Sequence, residues 1–217
     1  MNTAREEIIH AVERLKIIVI IRGITGDTLL RTVDAIARGG IGLAEITFDQ
    51  SGKTDDRQIA SDIRMLRNAF DGKVHIGAGT VMTVEQVRLA KDAGAEFIIS
   101  PDCYEDVIRE TVRLGMVSIP GAFTPTEAAN AHRFGADFVK LFPNSEVKIS
   151  YLKALATPLS HIRFLAVGGV NADNLTEYLA AGARGVGVAT GIVNKERIAA
   201  GDFEAVTRLA KSYTSQI

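Results

Sequence analysis

Tryptophan is absent from the 217 residues, cysteine occurs once and proline five times, and neither charge prevails, with 25 basic against 26 acidic side chains. Each scarcity excludes something. A lone Cys103 cannot close an internal disulfide or build a zinc-binding cysteine cluster, so a reducing, cytoplasmic setting is expected. Its place after Ser100-Pro101-Asp102 reads as packing rather than as a nucleophile. A net charge of −1 offers no broad basic surface to displace phosphate counterions, so no nucleic-acid partner is expected. The longest early apolar run, Ile17 to Ile21, is five residues between Lys16 and Arg22, too short for a signal segment or a membrane span. No membrane partner is expected either. His10, His75, His132 and His161 show no HxxH or HExxH spacing, which leaves no expected metal site. Hydrophobic residues make up 47% of the chain, enough for a large core without staples, and no shift in composition marks a boundary, so residues 1–217 read as one domain.

Glycine is plentiful by contrast. The 20 glycines sit just before or after short β-branched runs, which points to alternating strands and helices rather than a flexible linker. Eight such runs read as strands: Ile17–Ile21, Leu43–Phe48, Lys73–Gly79, Glu96–Ser100, Met116–Pro120, Asp137–Phe142, Ile162–Val167 and Arg184–Val188. A helix follows each. The first is capped by Asp27 and runs to about Arg38, where Gly39-Gly40 stops it; others are expected near Thr54 to Ala69 and from Thr83 to Ala93. Gly94, Gly115, Gly135 and Gly182 each fall where a left-handed residue would end a helix ahead of the next strand. Residues 2–15 read as an extra amphipathic helix, and Asp55-Asp56-Arg57 as a solvated face. Eight βα units with apolar strands need a parallel sheet covered on both faces, and right-handed crossovers make a closed (β/α)₈ barrel of the TIM type the natural solution. An open doubly wound sheet is the alternative.

In such a barrel, catalytic groups come from the C-terminal ends of strands. Arg22 ends the first strand, Glu45 and Thr47 lie on the second, Thr80 follows the third, and Gly168-Gly169 follows the seventh. Lys140 is the sharpest signal, because the strand Phe138-Val139-Lys140-Leu141-Phe142 has no other charge and parity puts Phe138, Lys140 and Phe142 on one face. Burial disfavours the charged form of a lysine and makes a neutral, nucleophilic amine available. The alternative is a lysine neutralised by a nearby carboxylate or reaching to the rim. Glu45, also inside an apolar strand, shares that lumen if its parity is inward; a lysine with a carboxylate suits Schiff-base chemistry, against the alternative of a structural ion pair. Gly168-Gly169 and the stretch Gly185 to Gly191, with the Thr190 hydroxyl, stand where barrels of this type often hold a phosphate; the alternative is tight-turn glycines. The second stretch has the spacing GxGxxxG, not the dinucleotide fingerprint.

These residues resemble the 2-keto-3-deoxy-6-phosphogluconate / 4-hydroxy-2-oxoglutarate aldolases. The resemblance runs in order through Ile20-Ile21-Arg22-Gly23, Ala44-Glu45-Ile46-Thr47, Gly77-Ala78-Gly79-Thr80, Ile99-Ser100-Pro101, Ile119-Pro120-Gly121 with Thr124-Pro125-Thr126-Glu127, Val139-Lys140-Leu141-Phe142-Pro143 and Val167-Gly168-Gly169-Val170. It implies a class I, pyruvate-dependent lyase that cleaves a 2-keto-4-hydroxy acid to pyruvate plus glyceraldehyde 3-phosphate or glyoxylate, with no external cofactor, as a homotrimer. Lys140 would be the Schiff-base lysine and Glu45 the general acid/base. Thr80 and the Pro120-Gly121 turn would line the pyruvate end, Phe142 would lie against the reacting carbons, and Gly168, Gly169 and Thr190 would face a distal phosphate. The chain departs from some relatives in having Asp49 four residues after Glu45 where they carry arginine; Arg22 matches the carboxylate-binding arginine of another branch. Two rival readings remain from the residues alone: a phosphate-binding isomerase or epimerase using Lys140 and Glu45 as acid and base, and a non-catalytic sugar-phosphate-binding barrel.

Overall fold

A computed structural model describes residues 3–217. Strands β1 (Ile17–Ile21), β2 (Leu43–Thr47), β3 (His75–Gly79), β4 (Phe97–Ile99), β5 (Val117–Ile119), β6 (Gly121–Ala122), β7 (Val139–Leu141), β8 (Phe164–Val167) and β9 (Gly185–Val188) form one sheet in the order β5-β4-β3-β2-β1-β9-β8-β7-β6. Every pairing is parallel. Nine segments stand where eight strands are expected, because Pro120 divides the fifth: β5 pairs with β4, and β6 pairs with β7. Proline lacks the N–H that a continuous ladder needs, but its carbonyl accepts a hydrogen bond from Lys140 N at 2.8 Å. The Ser118 carbonyl accepts from Asp137 N and Phe138 N at 3.0 and 3.2 Å, so the broken strand closes the ring of a (β/α)₈ barrel.

The period of two along each strand sorts side chains into two cores. Outward residues such as Val19, Ile46, Ile76, Val139, Leu141 and Val186 pack among the helices. Inward residues Ile18, Leu43, Phe97, Ile99, Val117, Ile119, Phe138 and Leu165 fill the lumen, together with Ile8 and Val12 of helix α1 (Ala4–Leu15). α1 is the expected extra helix, and it stoppers the N-terminal end of the barrel; the expectation for Asn2 lies outside the described residues. Its start is held by a reciprocal cap in which Glu6 N donates to Thr3 Oγ1 at 3.2 Å and Thr3 N donates to Glu6 Oε2 at 2.7 Å.

β3 has glycine at two of its inward positions, 77 and 79, and this makes room for its neighbours. A Cβ on Gly77 would lie 2.2 Å from the Phe97 ring, and one on Gly79 would lie 1.6 Å from Glu45 Oε1. Large side chains on adjacent strands therefore cross the space that β3 leaves open.

Helix ends follow the expected glycines, as at Gly135 (φ 104°) and Gly182 (φ 112°). Two helix starts differ from expectation. Helix α2 (Gly26–Arg38) begins before Asp27, without a side-chain cap of its own; its Gly26 N donates instead to Asp62 Oδ1 at 3.2 Å, a cap supplied by a neighbouring helix. That neighbour, α3 (Asp56–Ala69), starts two residues later than expected, and the Asp55-Asp56 pair is not merely solvated. Asp55 caps the helix through Arg57 N at 2.7 Å, and Asp56 Oδ2 accepts from Gln86 Nε2 at 3.1 Å. Among the described residues, no helix is long and apolar enough to cross a membrane.

Gly77→Ala should overpack the lumen against Phe97 and lower folding stability by about 1–3 kcal/mol. Urea unfolding checks this: the midpoint should fall while the slope stays unchanged.

Candidate active site

The strand ends gather every residue nominated from the sequence. Arg22, Phe142, Gly168, Gly169 and Thr190 line one cleft of about 460 Å³ at the C-terminal mouth. Glu45 and Lys140 lie in the lumen, each within electrostatic reach of the other and of Arg22. Thr80 is joined to Arg22, whose Nη2 donates to Thr80 Oγ1 at 3.0 Å, and Pro120 is joined to Lys140 through the backbone bond that closes the ring.

Lys140 points inward because Val139 and Leu141 on either side of it turn out among the helices. It is 6% exposed, and its Nζ lies 4.6 Å from the centroid of the Phe142 ring. Burial holds its ammonium below the usual lysine range; Glu45 opposes that shift, Arg22 adds to it and Asp102 opposes it. Glu45 is 2% exposed, and burial pushes its carboxyl up to about 7 despite the opposing charges of Lys140 and Arg22. An amine depressed by burial and a carboxyl that titrates near neutrality thus share one low-dielectric space, an arrangement suited to nucleophilic attack with proton transfer.

Thr80 sits in the left-handed region at φ 53°, a conformation that costs a non-glycine residue about 1–3 kcal/mol. Two contacts hold it there: the Arg22 bond to its hydroxyl, and Gln50 Nε2 donating to its carbonyl at 2.9 Å. Asp49, four residues after Glu45, is occupied by its own loop. Its Oδ1 accepts from Ser51 N and Ser51 Oγ at 2.9 and 2.6 Å, and its Oδ2 accepts from Thr54 N at 3.0 Å. These bonds, the Ser51 hydroxyl foremost, hold its carboxyl below the ordinary aspartate value.

The Gly168-Gly169 turn has φ of 103° and 73° and lies against the start of a short 3-10 turn (Asn144–Glu146). A Cβ on Gly168 would lie 3.2 Å from Asn144 N. Asn144 Nδ2 donates to Gly168 O at 3.3 Å and Asn174 Nδ2 to Gly169 O at 3.0 Å, so both carbonyls are tied back.

Three contributors go beyond the sequence reading. Asp102 follows β4 and acts electrostatically on Lys140; its carbonyl accepts at 3.0 Å from the N–H of Gly121, the residue paired with Lys140. The strand-end rule that nominated Arg22 and Thr80 applies equally to Asp102. Gln50 supports Thr80 from a loop, and Tyr213 reaches the cleft from the last helix (Phe203–Thr214), where helical spacing reads simply as core. Among the described residues, five buried side-chain polar atoms lack a partner, and four of them belong to Glu45, Thr47, Asp102 and Asn144 at this end of the barrel. Unpaired buried polar atoms cost stability, so their concentration here marks a region shaped for something other than its own folding.

Comparison with known proteins gives a consistent picture. A family model described as "Aldolase: KDPG and KHG aldolase" matches residues 8–209. The 2-dehydro-3-deoxy-6-phosphogalactonate aldolase of Escherichia coli is 34% identical over 205 residues, covering 94% of this chain and 97% of that protein. The 2-dehydro-3-deoxy-phosphogluconate aldolase of Treponema pallidum is also 34% identical over 205 residues, covering 94% of each. A solved structure of KDPG aldolase from Legionella pneumophila, with pyruvate captured at low pH as a covalent carbinolamine intermediate, superposes with a TM-score of 0.84 at 28% identity, covering 94% of this chain and 97% of that one.

Between the ordinary glutamate value of 4.5 and about 7, the folded chain retains the Glu45 proton while the unfolded chain has released it. The contribution of Glu45 to stability therefore falls as pH rises through that window. Glu45→Gln should flatten that part of the stability profile, as read by urea unfolding at a series of pH values.

Proposed function

The chain belongs to the KDPG and KHG aldolase family, and from that premise we propose that it forms a Schiff base through Lys140 and reversibly cleaves a 2-keto-4-hydroxy acid to pyruvate and an aldehyde. Members of this family are aldolases, which are carbon–carbon lyases. The substrate is 2-keto-3-deoxy-6-phosphogluconate, 4-hydroxy-2-oxoglutarate, or both, with glyceraldehyde 3-phosphate or glyoxylate as the aldehyde. The observation that carries this reading is Lys140 itself: a buried amine, depressed by desolvation, in the same lumen as a carboxyl titrating near 7.

The neutral Lys140 Nζ attacks C2 of the keto acid to give a carbinolamine. Glu45 in its acid form protonates the departing hydroxyl, water leaves, and a protonated imine remains, its charge balanced by the resulting Glu45 carboxylate. That carboxylate, directly or through a water, then takes the proton of the C4 hydroxyl. The C3–C4 bond breaks, its electron pair flows into the iminium to form an enamine, and the aldehyde departs. Glu45 returns its proton to C3, and water adds to the regenerated iminium to release pyruvate and free Lys140. Two titratable groups suffice because Glu45 gives and takes a proton near its own pKa, where both forms are populated.

Around this centre, Arg22 holds the substrate carboxylate with Thr80 beside it, Pro120 and its turn shape the pyruvate end, and Phe142 covers the reacting carbons. Gly168, Gly169 and Thr190 face the distal phosphate. The one-barrel domain spans residues 1–217, acts in the cytoplasm and assembles as a homotrimer. The family resemblance supports the trimer, and the single cysteine supports the compartment.

Borohydride reduction in the presence of pyruvate should leave a mass adduct on the wild-type chain and none on Lys140→Ala. Wild type without an adduct would sink the proposal, and proton exchange into substrate without an adduct would favour an isomerase. Light scattering should give the mass of three chains; a monomer mass would refute the trimer.

A further inference from the structure

The last helix, Phe203–Thr214, is fastened to α2. Thr207 Oγ1 donates to Ala35 O at 2.9 Å, Thr214 Oγ1 donates to Gly39 O at 2.8 Å, and Ala210 packs so closely that a Cβ on Gly39 would lie 2.3 Å from its methyl carbon. These contacts fix the helix against the barrel wall. They also direct one side chain elsewhere: Tyr213, 3% exposed, sends its ring beneath the loop after β9 and lines the cleft with Phe142, Gly169 and Thr190. Its hydroxyl lies so near Gly191 that a Cβ there would be 2.1 Å from it, so residue 191 has to be glycine for the phenol to occupy this place. No group among the described residues bonds the hydroxyl, and it is not one of the five sealed, unpartnered atoms; it belongs to the lining of the cleft and is free to donate into it. Burial, with the Asp173 carboxylate nearby, keeps the phenol above its ordinary pKa, so it remains a donor through the neutral range.

A rigid ring carrying a committed donor, placed beside Thr190 and Gly191 and in the same cleft as Gly168-Gly169, suits an oxyanion at the far end of the substrate. We propose that Tyr213 Oη donates a hydrogen bond to the distal phosphate, so that the C-terminal helix supplies a specificity-determining group to the site. The proposal rests on the aldolase reading and adds to it a contact from outside the strand-end loops. The close approach at Gly191 gives the contact a second handle: any side chain at 191 pushes the phenol away from the cleft.

The test compares a 2-keto-3-deoxy sugar acid 6-phosphate with its unphosphorylated counterpart. For wild type, kcat/KM should favour the phosphorylated substrate. In Tyr213→Phe that preference should shrink about tenfold, through KM rather than kcat, as expected for one hydrogen bond to a charged group. Gly191→Ala should move the preference in the same direction. Inhibition by inorganic phosphate should weaken in parallel in Tyr213→Phe. The Tm of Tyr213→Phe should match wild type, because the hydroxyl supports no other group of the chain. Equal losses on both substrates, with a lowered Tm, would make Tyr213 a packing residue and overturn the proposal; an unchanged preference would do the same. A wild type that traps pyruvate but gains nothing from the phosphate overturns this proposal and leaves the aldolase reading intact. Failure to trap pyruvate removes both.

Discussion

The site depends on a lysine and a glutamate held together out of water. In stability terms such a pair contributes little, because the cost of desolvating both groups offsets their attraction. The benefit lies in reactivity: the same desolvation holds the lysine below its usual range and raises the glutamate to about 7. The pair can exist only because β3 presents glycine where a Cβ would fill the space taken by the Glu45 carboxyl. Arg22 complicates the balance usefully. Its positive charge opposes protonation of Lys140 and favours ionisation of Glu45, so one residue keeps the amine low and tempers the rise of the carboxyl.

Much of this was legible in the chain. Strand and helix alternation, glycine stops and the inward parity of Lys140 and Glu45 are local signals, and local signals survive folding when the tertiary structure agrees with them. The eightfold count held as a ring of eight, but Pro120 broke one strand into two because a proline within a run removes a ladder donor. Asp27 did not cap α2, since a carboxylate from α3 supplied that cap across space, which no reading of neighbouring residues discloses. Asp49 braces its own loop through Ser51 and Thr54, a role that its spacing from Glu45 does not disclose. Asp102 is within reach of the strand-end rule, since it follows β4 as Thr80 follows β3. Tyr213 had no sequence signal, because a tyrosine on an amphipathic helix reads as core until the helix is docked.

The residues that serve the fold and those that serve chemistry are separated along the barrel axis. Below, Phe97, Phe138 and Leu165 make a dense apolar layer; above, unpartnered polar atoms and a left-handed threonine accumulate. Strain and unmet hydrogen bonding are tolerated at one end because the other is packed conventionally.

The stopper formed by α1 has a kinetic consequence. A lumen closed at its base has a single doorway, so substrate entry and the departure of both products share one path. In the proposed reaction the half of the substrate bound to Lys140 would lie deeper, and the half near Gly168-Gly169 would lie across the exit. Traffic through such a blind passage is last in, first out: the aldehyde must clear the doorway before pyruvate can follow, and in the reverse direction pyruvate must be seated first. The covalent order agrees with this path, because in the proposed reaction the aldehyde departs while pyruvate is still held on Lys140 as its enamine.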